Sequence, residues 1–355
     1  MERKDKVTGK KGLHAILCVL MGMGLLLVAS CVTPGSVSDG SNAKALDTVH
    51  EKPRLFQSQD YIICELAGKE TPEDLARKFL GDPEKEWVIT ENNPGGTYEK
   101  GERIVIPLKE QRRGGLTVDG YQKVPILVYH TFAERCRSKL CVSRQVFEEQ
   151  MAYLKDNGYR VIALSDLIGF LEFRTGLPEK AVVITIDDGY HSVYDIAYPI
   201  LKNHGFTATL FVYMDFIGIR GSSVTWDELR EMKANGFEIG SHTVTHCDLT
   251  KRMDGEGEQA YLRRVEKELA ASKKMIDQKL QQDTVSLAFP YGAYNEQVLA
   301  LSEAAGYKLC LSVIRGGNPF FTHPLTLRRS QMLDQRIEYF VDNLDTFHQM
   351  SLRGK

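Results

Sequence analysis

The hydrophobic pattern divides the chain into a small unit near the N-terminus and a larger region of alternating elements. Apolar runs at residues 61–64 and 103–107 predict two strands that enclose two helices. Thr71 and Pro72 mark the start of the first helix, because Thr is a good N-cap and Pro is tolerated in the first turn. The second helix starts at Asp82-Pro83. This strand–helix–helix–strand order predicts a compact α+β unit over residues 59–108.

In the larger region, short apolar runs alternate with segments of helical periodicity. The runs that predict strands are residues 124–129, 181–186, 237–240 and 285–289. Helices are predicted between them: one over residues 147–154, one that begins at a capping box of Thr225 and Glu228, and one over residues 262–280. Strands that alternate with helices favour a parallel sheet, either open or closed into a barrel.

Each of these four predicted strands ends in polar or reactive residues. They are His130, the pair Asp187-Asp188, Ser241-His242 and the turn Pro290-Tyr291-Gly292. In α/β barrels the functional site lies at the carboxyl ends of the strands. We therefore expect these four endings to converge on one site.

The adjacent carboxylates Asp187 and Asp188 are the most informative of these endings. Two carboxylates behind a buried strand are costly, because like charges repel and burial penalises both. Asp-Asp-Gly is also ordinary turn chemistry, so a plain turn is the alternative. His242 and His246 favour a functional site, because one Asp and two His are the ligand set of an open metal site. The other Asp is then free to act as a base.

Three segments resemble the first three motifs of the polysaccharide deacetylases, the NodB-homology group known as carbohydrate esterase family 4. They are Thr185–Gly189, His242–His246 and Phe289–Gly292, and the resemblance covers residues 124–345. The opening Val124–His130 further resembles the subgroup that deacetylates poly-β-1,6-N-acetylglucosamine. The resemblance implies an α/β fold with a distorted (β/α) barrel of about seven strands. Here the small α+β unit precedes it.

The resemblance also implies a role for each candidate residue. Asp188, His242 and His246 would hold a divalent metal ion, with zinc expected and cobalt, manganese or nickel left open, since such ligands accept all four. Asp187 would be the general base that deprotonates the attacking water. The backbone N–H of Tyr291 would stabilise the oxyanion.

Two further roles depend on how this chain departs from the family. His130 would protonate the leaving amine, and His323 is the alternative acid because the usual late Leu-x-His motif is absent in clear form. Many members carry an Arg just before the Phe-Pro-Tyr element, where Leu287-Ala288 stands here. Arg329 is the expected substitute that orients the base.

The unit over residues 59–108 resembles a LysM domain, a family that binds glycans built from N-acetylglucosamine. The resemblance lies in the element order, the Asn93-Pro94 step and the closing stretch Gly101–Pro107. Residues 68–71 depart from the Gly-Asp-Thr-Leu stretch usual in the family, so a spacer module is the alternative. Residues 109–123 are expected to be a polar linker to the larger domain, which spans residues 124–345.

Residues 1–30 have the pattern of a bacterial lipoprotein signal peptide. A basic stretch precedes the apolar segment 13–28, which is short for a membrane span, and Val28–Cys31 resembles a lipobox. Cys31 would carry the lipid and anchor the protein to a membrane through the flexible tether 31–58. A signal anchor with an incidental Cys is the alternative. Val32, rather than Asp, points to the outer membrane, facing the periplasm, in a Gram-negative cell envelope.

Charge and cysteine content add two constraints. The 45 Lys and Arg residues are scattered and balanced by 47 Asp and Glu residues, which argues against nucleic acid binding. Export would permit disulfides, and Cys136 and Cys141 are close enough in sequence to pair. A disulfide and two free thiols both remain open, whereas zinc binding by this pair lacks further ligands.

Three functions are therefore compared. The first is a metal-dependent N-deacetylase that acts on N-acetylglucosamine residues of an exopolysaccharide, which the Tyr129-His130 motif favours. The second is a peptidoglycan N-acetylglucosamine deacetylase, which the LysM-like unit favours. The third belongs to another class: a catalytically inactive lipoprotein that binds the cell wall.

Overall fold

The computed structural model describes residues 55–351. The predicted signal peptide, Cys31 and most of the predicted tether lie outside the described residues. In the part that is described, no helix is both long and apolar enough to cross a membrane.

Short strands and helices alternate along the described residues. The strands are β1 (Leu55–Gln57), β2 (Tyr61–Glu65), β3 (Arg103–Pro107), β4 (Leu116–Thr117), β5 (Gly120–Gln122), β6 (Val124–Tyr129), β7 (Thr131–Ala133), β8 (Cys141–Ser143), β9 (Arg160–Val161), β10 (Ala181–Ile186), β11 (Thr209–Val212), β12 (Glu238–Ser241), β13 (Ser286–Ala288), β14 (Leu309–Leu311), β15 (Gly317–Asn318), β16 (Ser330–Gln331) and β17 (Phe347–Gln349). The α-helices are α1 (Pro72–Phe79), α2 (Glu86–Asn92), α3 (Arg144–Asp156), α4 (Asp166–Leu171), α5 (Tyr198–His204), α6 (Trp226–Ala234), α7 (Glu258–Leu280), α8 (Glu296–Ala304) and α9 (Ile337–Val341).

The N-terminal module, residues 55–108, is a three-stranded antiparallel sheet packed against α1 and α2. The strand order is β1–β2–β3. Thr71 caps α1 in a capping box with Asp74, and Pro72 occupies the first turn, as predicted. The predicted strand–helix–helix–strand order is thus confirmed. Strand β1 is a correction, because it comes from the end of the segment expected to be tether. All three of its residues are exposed, so no buried pattern marks it in the sequence.

The barrel domain, residues 124–345, is built on seven parallel strands in the order β16–β6–β10–β11–β12–β13–β14. The predicted bounds 124–129 and 181–186 match β6 and β10. Both strands are fully buried along their length, which explains why each reads as a continuous apolar run.

One late segment brings the two edges of this sheet towards each other. Leu327 forms a parallel bridge with Leu311 of β14, and β16, three residues later, pairs with β6. The sheet therefore curls into a distorted barrel, and the predicted α/β fold with about seven strands is confirmed.

The predicted linker, residues 109–123, has more structure than expected. It contains the short hairpin β4–β5, and β17 returns from the C-terminal end of the chain to pair with β5. Gly114 and Gly115 are buried in the 3₁₀ turn that precedes the hairpin. Strands of two or three residues are too short to give a recognisable alternation, and their partner lies more than 220 residues further along the chain.

Polar contacts join the N-terminal module to the barrel domain. Glu86 of α2 pairs with Arg160, and a Glu91 carboxylate oxygen accepts a hydrogen bond of 2.9 Å from the backbone N–H of Glu179. Glu91 also pairs with Arg112 of the linker segment. Arg160 and Glu179 lie beside the amino-terminal end of β10. The module therefore contacts the barrel at the end opposite to the carboxyl ends of the strands.

Candidate active site

The carboxyl ends of β6, β10, β12 and β13 converge, as expected from the sequence. Asp187 and Asp188 follow β10, and His242 follows β12. Backbone bonds join these ends: the N–H of Asp187 donates to the carbonyl of Tyr129, and the N–H of His242 donates to the carbonyl of Val212. Parallel strands in register therefore place reactive side chains from distant parts of the chain at one edge of the sheet.

Asp188, His242 and His246 form a candidate metal site. One Asp188 carboxylate oxygen lies 3.5 Å from Nε2 of His242 and 3.4 Å from Nε2 of His246. One ligand atom from each residue can be chosen so that all three lie within 4.8 Å of one another. His242 is buried, whereas His246 remains partly accessible. The spacing leaves a position that all three donors can reach.

Strained backbone shapes this site. Eight non-glycine residues of the described chain have positive φ, and four of them are here: Asp188 (76°), Thr243 (72°), His246 (60°) and Tyr291 (59°). Such conformations each cost about 1–3 kcal/mol and persist where the surroundings enforce them. His242 and His246 are therefore brought together by a strained turn after β12, and not by one face of a helix, although four-residue spacing is typical of a helix.

The hydrogen bond of His242 suits metal binding by Asp188, His242 and His246. Its Nδ1 lies 2.7 Å from the carbonyl oxygen of Ala288. A carbonyl can only accept, so Nδ1 carries the proton and Nε2 keeps its lone pair on the side of Asp188 and His246. Burial, together with the neighbouring His242, lowers the pKa of His246 and so favours its neutral, metal-binding form. A carboxylate with two neutral imidazoles suits zinc and related divalent ions.

Asp187 lies apart from this donor set and pairs with Arg329. The guanidinium donates to both carboxylate oxygens, at 2.7 and 2.8 Å, and the Arg329 side chain is fully buried. Its Nε donates to the carbonyl of Ser312 at 2.8 Å, which fixes the plane of the guanidinium. Burial alone would raise the pKa of Asp187, but Arg329, His242 and His130 outweigh burial and lower it to about 2. Asp187 is therefore ionised at neutral pH.

His130 has the environment of a proton-transfer group. Its Nδ1 is buried and has no hydrogen-bond partner among residues 55–351. Burial lowers the pKa of His130, whereas Asp187 and Asp188 act in the opposite direction. A buried polar atom without a partner is rare in proteins, and a catalytic role is one of the explanations for such an atom.

His323 does not lie in this site. Its Nδ1 accepts a hydrogen bond from the N–H of Leu325 at the start of a 3₁₀ turn. That turn precedes Leu327, so it lies at the amino-terminal end of the parallel segment, away from the carboxyl ends of the strands. The structure therefore favours His130 over His323 as the acid.

Tyr291 presents a free backbone amide beside the metal donors. Tyr291 has a left-handed backbone conformation in the short turn Pro290–Gly292 that follows β13. Its N–H has no hydrogen-bond partner in the described part of the chain. Its ring contacts that of His246 at a centroid distance of 4.9 Å. An unpaired N–H at this position can donate to a developing oxyanion.

Sequence reasoning missed Glu268, which supports the metal-ligand loop. This carboxylate on α7 is buried and accepts hydrogen bonds from the N–H groups of Val244 and Thr245 and from the Thr245 hydroxyl, at 2.9–3.0 Å. It therefore holds the turn between His242 and His246. The available signal was a charged residue on the apolar face of a predicted helix.

Cys136 and Cys141 form a disulfide. The bond closes the loop that follows His130 and β7, and it settles the choice between a disulfide and two free thiols. Cys64, Cys247 and Cys310 are free.

Part of the chain is similar to known proteins. Residues 174–310 match the model of the polysaccharide deacetylase family. YxkH of Bacillus subtilis is 36% identical over 187 residues, which are 53% of this chain and 63% of that protein, so the chain spans less than two thirds of that relative. The poly-β-1,6-N-acetyl-D-glucosamine N-deacetylase of Staphylococcus aureus is 26% identical over 213 residues, 59% of this chain and 73% of that enzyme.

Two solved structures share the fold. The Streptococcus pyogenes deacetylase PplD in complex with acetate superposes with a TM-score of 0.58 at 27% identity, over 63% of this chain and 98% of that chain. IcaB from Ammonifex degensii superposes with a TM-score of 0.54 at 26% identity, over 60% of this chain and 93% of that chain. The chain is therefore similar to the polysaccharide deacetylases over residues 174–310, and its barrel domain shares their fold.

Proposed function

We propose that this protein is a metal-dependent N-deacetylase of N-acetylglucosamine residues in an exopolysaccharide. The observation that carries the proposal is the division of labour between the two aspartates. Asp187 is paired with Arg329, whereas Asp188 faces His242 and His246. Amide hydrolysis needs an activated water, an oxyanion partner and an acid for a poor leaving group, and separate groups are present for each task.

The residues act in the following order. Asp187, kept ionised by Arg329, accepts the proton of the water that attacks the acetyl carbonyl. The Tyr291 N–H donates to the oxygen on which negative charge develops. His130 in its protonated form then gives a proton to the leaving amine as the C–N bond breaks and acetate is released, and its partnerless Nδ1 is available for this transfer. A divalent ion held by Asp188, His242 and His246 would supply Lewis-acid polarisation of the carbonyl.

The choice of substrate rests on two supports. The Staphylococcus aureus relative is named for action on poly-β-1,6-N-acetylglucosamine, and Val124–His130 resembles the motif of the same subgroup. Both point to an exopolysaccharide rather than to a small acetylated molecule.

Acetate release from purified poly-β-1,6-N-acetylglucosamine tests this function. We expect the wild-type protein to release acetate, and we expect Asp187→Asn, which keeps the size of the side chain, to lower the rate by at least about 100-fold. Chelation should abolish the activity, and added zinc, cobalt, manganese or nickel should restore it. An Asp187→Asn variant with wild-type activity would refute the assignment of the base. Activity that survives complete metal removal would refute the metal site.

The second candidate substrate is peptidoglycan. The observation in its favour is the N-terminal module, whose β2–α1–α2–β3 order resembles a LysM domain and which is joined to the barrel by the ion pair of Glu86 with Arg160. Peptidoglycan, poly-β-1,6-N-acetylglucosamine and chitin oligomers, assayed side by side, separate the two. If no polymer releases acetate while the protein co-sediments with wall sacculi, the inactive wall-binding function is correct instead.

We also propose that the protein is exported and anchored in the cell envelope through a lipid on Cys31. The support is the basic and apolar pattern of residues 1–30 and the Val28–Cys31 lipobox, outside the described residues. Incorporation of labelled palmitate should occur in the wild-type protein and be absent in Cys31→Ala. Equal labelling of both proteins would contradict the anchor.

A further inference from the structure

A row of aromatic rings leads away from the candidate metal site. Its members are Tyr190, Phe216, Tyr213 and Tyr291, with the His246 ring between the last two, and we call the four side chains the aromatic row. Successive ring centroids are 4.9–5.2 Å apart, from Tyr190 to Phe216, to Tyr213, to His246 and to Tyr291. The rings therefore form one continuous series of contacts that includes the metal donor His246.

These rings do not serve the hydrophobic core. None of the four belongs to a core cluster of residues 55–351, or packs against one as a partly buried neighbour. Tyr291 is 67% exposed, and the other three remain partly accessible. Aromatic side chains usually stabilise a protein through burial, so a contiguous accessible set calls for another role.

The row also presents unused hydrogen-bonding groups. The hydroxyls of Tyr190, Tyr213 and Tyr291 have no side-chain partner in the described structure, whereas Tyr194 and Tyr198 donate to Glu231. The aromatic row thus combines apolar ring faces with polar hydroxyl groups. A sugar has the same combination, because its ring faces carry C–H groups and its edges carry hydroxyls.

The loop that carries Tyr213 and Phe216, residues 213–224, is fixed on both sides. On one side it bonds to the loop of the metal-ligating histidines, and on the other to the segment that follows Asp188. All four bonds run from a backbone N–H to a backbone carbonyl. The donor and acceptor residues are Met214 and Thr243 (3.2 Å), Asp215 and Val244 (3.0 Å), Val224 and Gly189 (3.0 Å), and His191 and Ser222 (2.9 Å). A platform held in this way binds its ligand without losing much conformational entropy.

We propose that the aromatic row is the platform on which the polymer lies, stacking against the sugar units next to the one being deacetylated. The faces of pyranose rings carry C–H groups that pack on aromatic faces, and their hydroxyls can bond to the free phenols. The row makes the enzyme selective for chains over single sugars. This inference rests on the proposed function and deepens it by naming the residues that recognise neighbouring units.

The test compares three substrates: a β-1,6-linked pentamer of N-acetylglucosamine, N-acetylglucosamine itself, and the small ester 4-methylumbelliferyl acetate. The variants are Phe216→Ala and Tyr190→Ala, because neither ring contacts a metal donor. Phe321→Ala is the matched control, since Phe321 is 61% exposed and its ring contacts those of Tyr121 and Phe320.

We expect the wild-type protein to prefer the pentamer to the single sugar. Each of the two variants should lower the ratio of kcat/KM for the pentamer to kcat/KM for the ester by about tenfold, mainly through KM. The control should leave that ratio unchanged. Bound metal, measured by mass spectrometry, should be the same in all four proteins.

The outcomes separate this inference from the proposed function. If the wild-type protein hydrolyses the pentamer but the variants lose pentamer and ester activity in parallel, or lose neither, the aromatic row is not the platform. If the wild-type protein releases no acetate from the pentamer or from any other polymer of N-acetylglucosamine, the proposed function itself is refuted, and this inference with it.

Discussion

The buried pair of Arg329 and Asp187 provides the sharpest test of the site. In Arg329→Met a side chain of similar length replaces the guanidinium and removes both hydrogen bonds to Asp187. The carboxylate is then left buried without its main partner. Because both side chains are inaccessible to solvent, water cannot take over the role of the guanidinium.

The magnitude follows from the burial and from the pKa of Asp187. Removing one partner of a buried ion pair costs about 3–5 kcal/mol of folding free energy. Independently, a pKa of about 2 instead of the ordinary 3.8 corresponds to about 2.5 kcal/mol of stability, at about 1.4 kcal/mol per pKa unit. Since the pKa is lowered in the folded state, this stability is present above about pH 4 and is lost as the pH falls towards 2.

Without Arg329, burial is no longer outweighed, so the pKa of Asp187 rises. We therefore expect Arg329→Met to unfold at a lower urea concentration than the wild-type protein, because its free energy of unfolding is lower by about 3–5 kcal/mol. The acidic limb of its pH–rate profile should move to higher pH, because a protonated Asp187 cannot accept a proton. Arg329→Lys should retain part of the stability but less of the activity, since an ammonium lacks the planar fork that binds both carboxylate oxygens.

Arg328→Met is the matched control, because Arg328 is the exposed neighbour of Arg329. It should unfold within about 0.5 kcal/mol of the wild-type protein and keep its pH–rate profile. If Arg329→Met has the stability and the pH–rate profile of this control, then Arg329 does not govern the ionisation of Asp187, and the assignment of the base loses its physical foundation.

Three further predictions address separate parts of the structure. His246→Ala should lose bound divalent metal, measured by mass spectrometry of the purified protein, and full metal retention would contradict the proposed donor set. Reduction of the Cys136–Cys141 disulfide should lower the free energy of unfolding in urea by about 2 kcal/mol, as expected for so short a loop, and an unchanged midpoint would argue against it. Thr225→Ala should cost about 1 kcal/mol in the same assay, because it removes the hydroxyl oxygen that accepts a hydrogen bond from the N–H of Glu228 at the start of α6, whereas a neutral effect would mean that water replaces the cap.

Local sequence signals predicted much of the framework. The strands β6 and β10 were bounded correctly, because buried parallel strands read as uninterrupted apolar runs. The caps at Thr71 and Thr225 were also found, since capping depends on residues only three positions apart. What the pattern could not reveal were β1 and the hairpin of the linker, which are too short or too exposed to leave a signal.

The residue types at the strand ends can be taken from the sequence, and the rule that parallel strands share one active edge is enough to group Asp187, Asp188, His242 and Tyr291. Arg329 was also expected as the partner of the base, through the family resemblance. Its bonds to both oxygens of Asp187, the proton on Nδ1 of His242 and the aromatic row are visible only in the folded chain, because they depend on contacts between distant segments. Such contacts arise from how loops and strand ends pack in space, and spacing along a chain does not record their geometry.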